Sequence, residues 1–246
     1  MGLFKSLQRK IISFQNLLSK NLKIKKKNII ITGANSGIGL ALVKALNINN
    51  NILAFVNKDK SNIMNIEGGE IKIINWDFSD IEPNKINTDI IIKFKPNIII
   101  NSAASFGSEN QKFSDIDIKQ FYSIFNINVF SALCIIQDSL KGNELEQIIN
   151  ISSEMGSINL NKEGNYYYYR TSKTLLNSIT KNLSIDLKQK NIIAYCIHPG
   201  SVKTKLNRGG LISPEIAAQK IINLCAGNNS KFNGKFIDIN KNILEW

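Results

Sequence analysis

Histidine is almost missing from this chain: His198 is the single one among 246 residues. A metal centre or a catalytic triad built on imidazole has little to draw on. Cysteine is scarce as well. Cys134, Cys196 and Cys225 are scattered, form no CxxC pair and have no metal-ligand spacing, so they read as reduced thiols in a reducing, cytoplasmic setting and no metal site is expected. No apolar run approaches the ~20 residues of a membrane span, and the chain has no internal repeat or low-complexity linker. Acidic residues are outnumbered, 19 against 31 Lys and Arg, for a net charge of +12. That balance suits an anionic partner such as a nucleotide cofactor, nucleic acid or acidic lipid. Much of the excess, however, is confined to a cluster around residues 20 to 27 and says little about the rest of the chain.

What is present is apolar and ordered. Hydrophobic residues make up 43% and charged residues 20%, the profile of a soluble globular protein, and the length suits one α/β domain with ample core. A basic arm, residues 1–27, precedes a single domain, residues 28–246. Short isoleucine-rich runs at 28–32, 51–56, 71–76, 96–101, 147–152, 191–198 and 234–239 read as strands. Nearly all are apolar on both faces, as strands of a parallel sheet covered on each side must be. The segments between them (37–47, about 83–94, 113–141, 166–190 and 214–226) are long enough for crossover helices. In the fourth, Leu176, Ile179, Leu183 and Leu187 recur at helical spacing and give a core-facing stripe. Alternation of this kind predicts an α/β fold, a doubly wound parallel sheet of about seven strands with helices on both faces.

The first strand runs directly into "TGANSGIG", Thr32 to Gly39, and then into a helix. Gly33, Gly37 and Gly39 leave out Cβ atoms where the backbone must turn tightly and approach a pyrophosphate, which the helix N-terminus attracts. Asn35, Ser36 and Ile38 would complete that loop. A second pattern is "NYYYYRTSK", residues 165 to 173. On a helix only Tyr169 stands four residues before Lys173, on the same face. Tyr166 shares the face but lies two turns off, and Tyr167 and Tyr168 point elsewhere. An ammonium about 4 Å from a phenol, at an effective dielectric near 20, favours the phenolate by up to ~4 kcal/mol. That is roughly three pKa units, enough to bring tyrosine toward the range of a general acid or base.

With Gly33-x-x-x-Gly37-x-Gly39 and Tyr169-x-x-x-Lys173 in one chain, the sequence resembles the short-chain dehydrogenase/reductase family over about residues 28 to 246. "YYYRTSKTLLN", "HPGSVKT" and "GKFIDINKNILEW" look most like its branch of C-factor and sniffer-type carbonyl reductases. The resemblance implies a Rossmann-type fold and an NAD(P)-dependent oxidoreductase acting on a carbonyl or alcohol, with homo-oligomerisation left open and no nucleic-acid partner. It also assigns roles. Tyr169 would be the general acid/base, and Lys173 would lower its pKa and bind the nicotinamide ribose. Ser153 would stabilise the oxyanion, with Ser152 as a structural neighbour. Asn128 would anchor a proton-relay water, with Asn126 as the competitor. Asp77 and Phe78 would meet the adenine; Asn101 and Ala103 would lie along the cofactor, while Ser102 and Ala104 depart from the family's Asn-Asn-Ala-Gly. Pro199, Gly200, Val202 and Thr204 would sit near the nicotinamide carboxamide and phosphates. The interval from Ser153 to Tyr169 is a few residues longer than is common in the family and must bulge into a loop beside the site. The variable loop at about 204–214, which helps to form the substrate pocket in the family, is short here, so any lid is small.

Cofactor choice turns on "FVNKDKS" after the second strand. Val56 and Asn57 offer no acid for the ribose hydroxyls, Lys58 could meet a 2′-phosphate, and Asp59 falls late for the ribose. NADP is favoured over NAD. In the arm, Leu3, Leu7, Ile11, Phe14 and Leu18 form an apolar stripe beside basic residues. Such a helix suits an anionic membrane surface or a protein partner, or packs on its own domain. Gly2 fits a myristoylation pattern. A second function class stays open beside the enzyme: a dinucleotide-binding signalling or scaffold protein with little turnover.

Overall fold

Isoleucines that are apolar on both sides of a strand can be buried only between two layers, and the sheet provides both. The computed structural model describes residues 24–58, 61–79, 88–226 and 229–246. Seven strands pair in one sheet: β1 (Asn28–Thr32), β2 (Asn51–Val56), β3 (Ile71–Asn75), β4 (Ile98–Asn101), β5 (Gln147–Ile151), β6 (Ile193–His198) and β7 (Phe236–Asp238). All pairings are parallel, in the order β3-β2-β1-β4-β5-β6-β7. The order reverses between β1 and β4, which opens a crevice at the C-terminal ends of the strands.

The helices are α1 (Gly37–Leu46), α2 (Ser61–Met64), α3 (Thr88–Phe94), α4 (Ile118–Phe125), α5 (Ser131–Leu140), α6 (Tyr167–Asp186) and α7 (Pro214–Cys225). Strand side chains alternate between the two faces. Ile29 and Ile31 point to one side, with Leu42 of α1 and Ile221 of α7; Ile30 and Ile99 point to the other, with Ile91 of α3, Ile135 of α5 and Leu187. Each such fully buried side chain contributes about 1.5–3 kcal/mol.

Several boundaries differ from those expected. The third strand runs only to Asn75, although the Trp76 N–H still donates to Val56 O at 2.9 Å; the Trp76 ring packs edge-on against Phe78 at 4.6 Å. The helix expected over 83–94 is described from Thr88, residues 80–87 lying outside the described set. The segment 113–141 is broken into a 3-10 turn (Phe113–Asp115), α4, a π-helical turn (Asn126–Phe130) and α5. Taken together, Ile118–Leu140 is long and apolar enough to cross a membrane by length and composition, contrary to the sequence expectation. Half of that stretch is buried inside the fold, as in the core helix of a packed domain.

Residues just ahead of Asn28 also pack on the domain. Ile24 is buried, the Lys26 N–H donates to the Asn49 carbonyl at 2.8 Å, and Lys27 Nζ reaches Glu146 Oε2 at 2.8 Å. The apolar stripe read in the arm, with Gly2, falls in residues 1–23, outside the described residues.

Candidate active site

At the crevice between β1 and β4 lies a cavity of about 740 Å³. Its floor is built by close backbone approach. Gly33 follows β1 with φ +64°, and a Cβ there would sit 2.9 Å from the Ala103 Cα. The Thr32 hydroxyl oxygen accepts from the backbone N–H of Ser102 (3.0 Å) and Ala103 (2.9 Å), which holds the end of β4 against that turn. Gly37 opens α1 and lines the cavity beside Asn35, Ser36 and Ile38. Ser36 makes no capping bond, and the first turn of α1 holds no acidic residue. A helix N-terminus whose N-cap makes no side-chain bond, with Gly33 and Gly37 at positive φ in the cavity wall beside it, fits a dinucleotide pyrophosphate. Gly39 faces away from the cavity. Its role is packing, since a Cβ would press on the Gly33 carbonyl and lie 3.1 Å from Thr32 O.

Asn57 and Phe78 also line the cavity wall. Asp77 sits just outside it and accepts from Ser79 N (3.0 Å) and Ser79 Oγ (2.7 Å), bonds that hold its carboxyl below the usual value. Lys58, mostly exposed, extends beside it with Nζ 3.6 Å from Asp77 Oδ2. Asp59 lies outside the described residues.

The four tyrosines part company. Tyr168 is fully buried, its hydroxyl accepting the Asp117 N–H at 2.6 Å and donating to the Asp115 carbonyl at 3.3 Å. Tyr167 turns outward and packs on Phe113, ring centres 5.9 Å apart. Tyr166 precedes α6 in a left-handed conformation (φ +53°), so it shares no helical face with Lys173, yet it does reach the cavity from the loop. Tyr169 lines the cavity within hydrogen-bonding reach of Ser153.

Lys173 is where helical spacing puts it, one turn beyond Tyr169, but its electrostatics differ from expectation. Its Nζ lies 5.7 Å from the centre of the Tyr169 ring and donates to the Ile151 carbonyl at 2.8 Å. Burial pushes the Tyr169 phenol up to about 12, opposed by the Ser153 hydrogen bond. Burial also brings Lys173 down to about 8, opposed by Cys196 beneath it. Desolvation disfavours both charged forms here. Tyr169 therefore holds its proton at neutral pH.

Ser153 caps the turn after β5, its Oγ accepting the Met155 N–H at 3.2 Å, which leaves its own proton to point at Tyr169. Ser152 also borders the cavity but donates to Asn177 Oδ1 at 2.7 Å. Asn128 stands in the π turn, buried and away from the cavity wall, with a fully used side chain. It accepts from Ser105 N (2.7 Å) and donates to Ser105 O (3.0 Å) and Ser172 Oγ (2.9 Å). Its side chain thus anchors the loop after β4 to α6. Asn126 donates to Ser79 O, away from the tyrosine. Asn101 is buried below the cavity, donating to Asn150 Oδ1 at 2.8 Å. Pro199, Gly200, Val202 and Thr204 all line the cavity, with Lys205, Leu206 and Asn207 of the short loop that follows.

Other residues at the site carried no sequence signal. Gln111 Oε1 accepts from Tyr168 N (3.1 Å) and Tyr169 N (3.3 Å), capping the first turn of α6 from a distant loop. Its Nε2 donates to Phe106 O (2.7 Å), and the Phe106 ring packs at 4.8 Å on Tyr169 and 5.3 Å on Tyr166. His198 and Glu154 complete the wall. The free thiols Cys196 and Cys225 are buried, and no group of three or more His, Cys, Asp or Glu that could hold a metal occurs among the described residues.

A parallel sheet with its crevice at the strand-order reversal, a glycine turn, and half-buried Tyr169 and Ser153 beside a buried Lys173 are the features of a nucleotide-dependent oxidoreductase. The chain belongs to the short chain dehydrogenases, whose family model matches residues 27–210. Among its relatives is the 7alpha-hydroxysteroid dehydrogenase of Escherichia coli K12, 29% identical over 80% of this chain and 79% of that protein. The C-signal of Myxococcus xanthus is 29% identical over 54% of this chain and 82% of its own length. The carbonyl reductase Sniffer of D. melanogaster superposes with a TM-score of 0.78 at 25% identity, over 90% of this chain and all of that one. The protein is an NAD(P)-dependent dehydrogenase or reductase of small-molecule substrates.

Proposed function

We propose that the protein reduces a carbonyl compound, with NADPH as the preferred cofactor and Tyr169 as the proton donor. The observation that carries this is the convergence of a protonated, half-buried phenol, the Ser153 hydroxyl and the Lys173 ammonium on the cavity that Gly33 and Gly37 line. When bound, the nicotinamide supplies the hydride. This chain's own residues manage one proton and one oxygen. Tyr169 donates its proton to the substrate oxygen, and Ser153, its lone pair already engaged by Met155, donates a hydrogen bond to the same oxygen as charge develops. Lys173, fixed by the Ile151 carbonyl, would hold the ribose of the bound cofactor. Asn128 and Gln111 set the positions of the loop after β4 and of the first turn of α6. The alternative, a dinucleotide-binding signalling protein with little turnover, predicts cofactor binding without product. A screen of carbonyl compounds followed by NADPH absorbance separates the two.

Support for NADP over NAD comes from the absence of an acid at Val56 and Asn57 and from the exposed Lys58 beside Asp77. A charge-assisted hydrogen bond to a 2′-phosphate contributes about 1.5–3 kcal/mol, tenfold or more in affinity. Lys58→Glu is therefore expected to weaken NADPH binding by about tenfold or more and NADH binding far less, as read by fluorescence titration of both. Equal losses, or a wild-type preference for NADH, would remove Lys58 from the account. A cytoplasmic setting is supported by the three unpaired thiols. A contact of the arm with an anionic membrane is supported by the sequence of residues 1–23 alone.

A further inference from the structure

The last rung of the backbone ladder between β5 and β6 is the Ser152 N–H donating to the Ile197 carbonyl at 2.8 Å. Beyond it the chain leaves the sheet through Ser153, and the next inward N–H, that of Glu154, has no strand carbonyl to meet. It donates instead to Nδ1 of His198 at 3.1 Å, from the final residue of β6. The imidazole thus extends the ladder by one rung, at the residue directly after Ser153.

We propose that His198 is a positioning residue for the reaction: its neutral imidazole accepts the Glu154 N–H through Nδ1 and so holds the turn that aims Ser153 at Tyr169. The proposal rests on the carbonyl-reductase reading of the cavity. An acceptor at Nδ1 requires the tautomer with its proton on Nε2. That Nε2 lies 3.9 Å from Glu154 Oε2. Protonating Nδ1 turns an acceptor into a donor and sets two N–H groups against each other, so the turn loses its tether.

Two charged groups act on the ring: Glu154 from the turn above it and Asp238 from β7, its partner in register. Both favour the imidazolium, and burial opposes them. Burial dominates and holds His198 below its usual value of 6.5. Lys173 and Lys205 share the cavity wall and add no attraction for a second positive charge. The sign follows. The tethered, neutral form persists through neutral pH and is lost as the pH falls through the depressed pKa, so turnover should fail on the acid side below about 6.5.

Because the chain has a single histidine, its imidazole signals are unambiguous in untagged protein. Nitrogen NMR should show the Nε2–H tautomer at pH 7, with a midpoint below 6.5 that coincides with the acidic limb of kcat. His198→Ala should lower kcat by about ten- to a hundredfold, the cost of a modest misplacement near the reacting atoms. His198→Asn, whose Oδ1 can take the place of Nδ1 but does not titrate, should recover most of kcat and lose the acidic limb. An Nδ1–H tautomer, a surviving acidic limb in the Asn variant, or an Asn variant as impaired as Ala would each overturn the proposal. Should the Ala variant fail to fold, the tautomer and the Asn variant still decide. A wild type that turns over no carbonyl compound counts against the reductase reading, whereas the tautomer tests the His198–Glu154 contact by itself.

Discussion

Tyr169→Phe is expected to lower kcat by about a thousandfold while cofactor affinity and thermal stability stay close to wild type. The substitution removes the only dissociable proton at that position and keeps the ring, so the packing on Phe106 at 4.8 Å is retained. The pH dependence has a definite sign. Burial places the phenol at about 12, so the donor is loaded throughout the neutral range and carbonyl reduction needs no deprotonation. The reverse reaction needs the phenolate, and its rate should climb toward alkaline pH. Lys173, at about 8, gradually loses its charge over the same range, which tempers that climb. Steady-state rates in both directions across pH check this. Wild-type activity in the Phe variant would pass the role to Tyr166, the other phenol in the cavity wall.

Gly39→Ala should have the next largest effect, and through a different cause. The new Cβ would press on the Gly33 carbonyl, 2.8 Å from its carbon and 3.1 Å from Thr32 O. All three neighbours are backbone, so no side chain can rotate away, and either α1 lifts or the Gly33 turn shifts. Overpacking of this kind costs about 1–3 kcal/mol, several degrees in Tm for a domain of this size. Displacing the turn also spoils the pyrophosphate cradle, so NADPH affinity should fall with stability. Gly209→Ala is the control, because a Cβ there meets only the Asn207 side chain, at 3.9 Å. A Gly39→Ala protein with the Tm and NADPH affinity of wild type would mean that α1 does not pack on Gly33 as described.

The strands were readable because isoleucine runs bounded by asparagine and glycine leave few alternatives, and the glycine turn into α1 because three glycines fall where a first strand ends. Helical spacing paired Tyr169 with Lys173, but only the glycine motif elsewhere in the chain gave that pair a proposed role. Other features follow from forces that leave no mark on composition. The π turn at Asn126–Phe130 redirects Asn128 by shifting hydrogen bonds, without a proline or glycine to announce it. Gln111 caps α6 from 57 residues away, a pairing that only the folded chain creates. The phenol's acidity was misjudged because a spacing argument counts the ammonium but not the desolvation, and burial outweighs a cation that faces the ring and the Ile151 carbonyl. His198 read as a strand residue and proved to end its strand in the cavity wall, where no neighbour in sequence would suggest a partner on β5's exit turn.

The central claim is that this cavity moves a hydride to a carbonyl carbon and a Tyr169 proton to its oxygen. Incubating the protein with NADPH deuterated at the nicotinamide C4 position and the carbonyl compound identified by the screen, then weighing the product alcohol by mass spectrometry, tests it directly. The account predicts one deuterium on carbon in the wild-type product, and a yield in Tyr169→Phe about a thousandfold slower with the same cofactor bound. Saturated cofactor binding with no deuterium in any product, or equal rates in the two proteins, would contradict it.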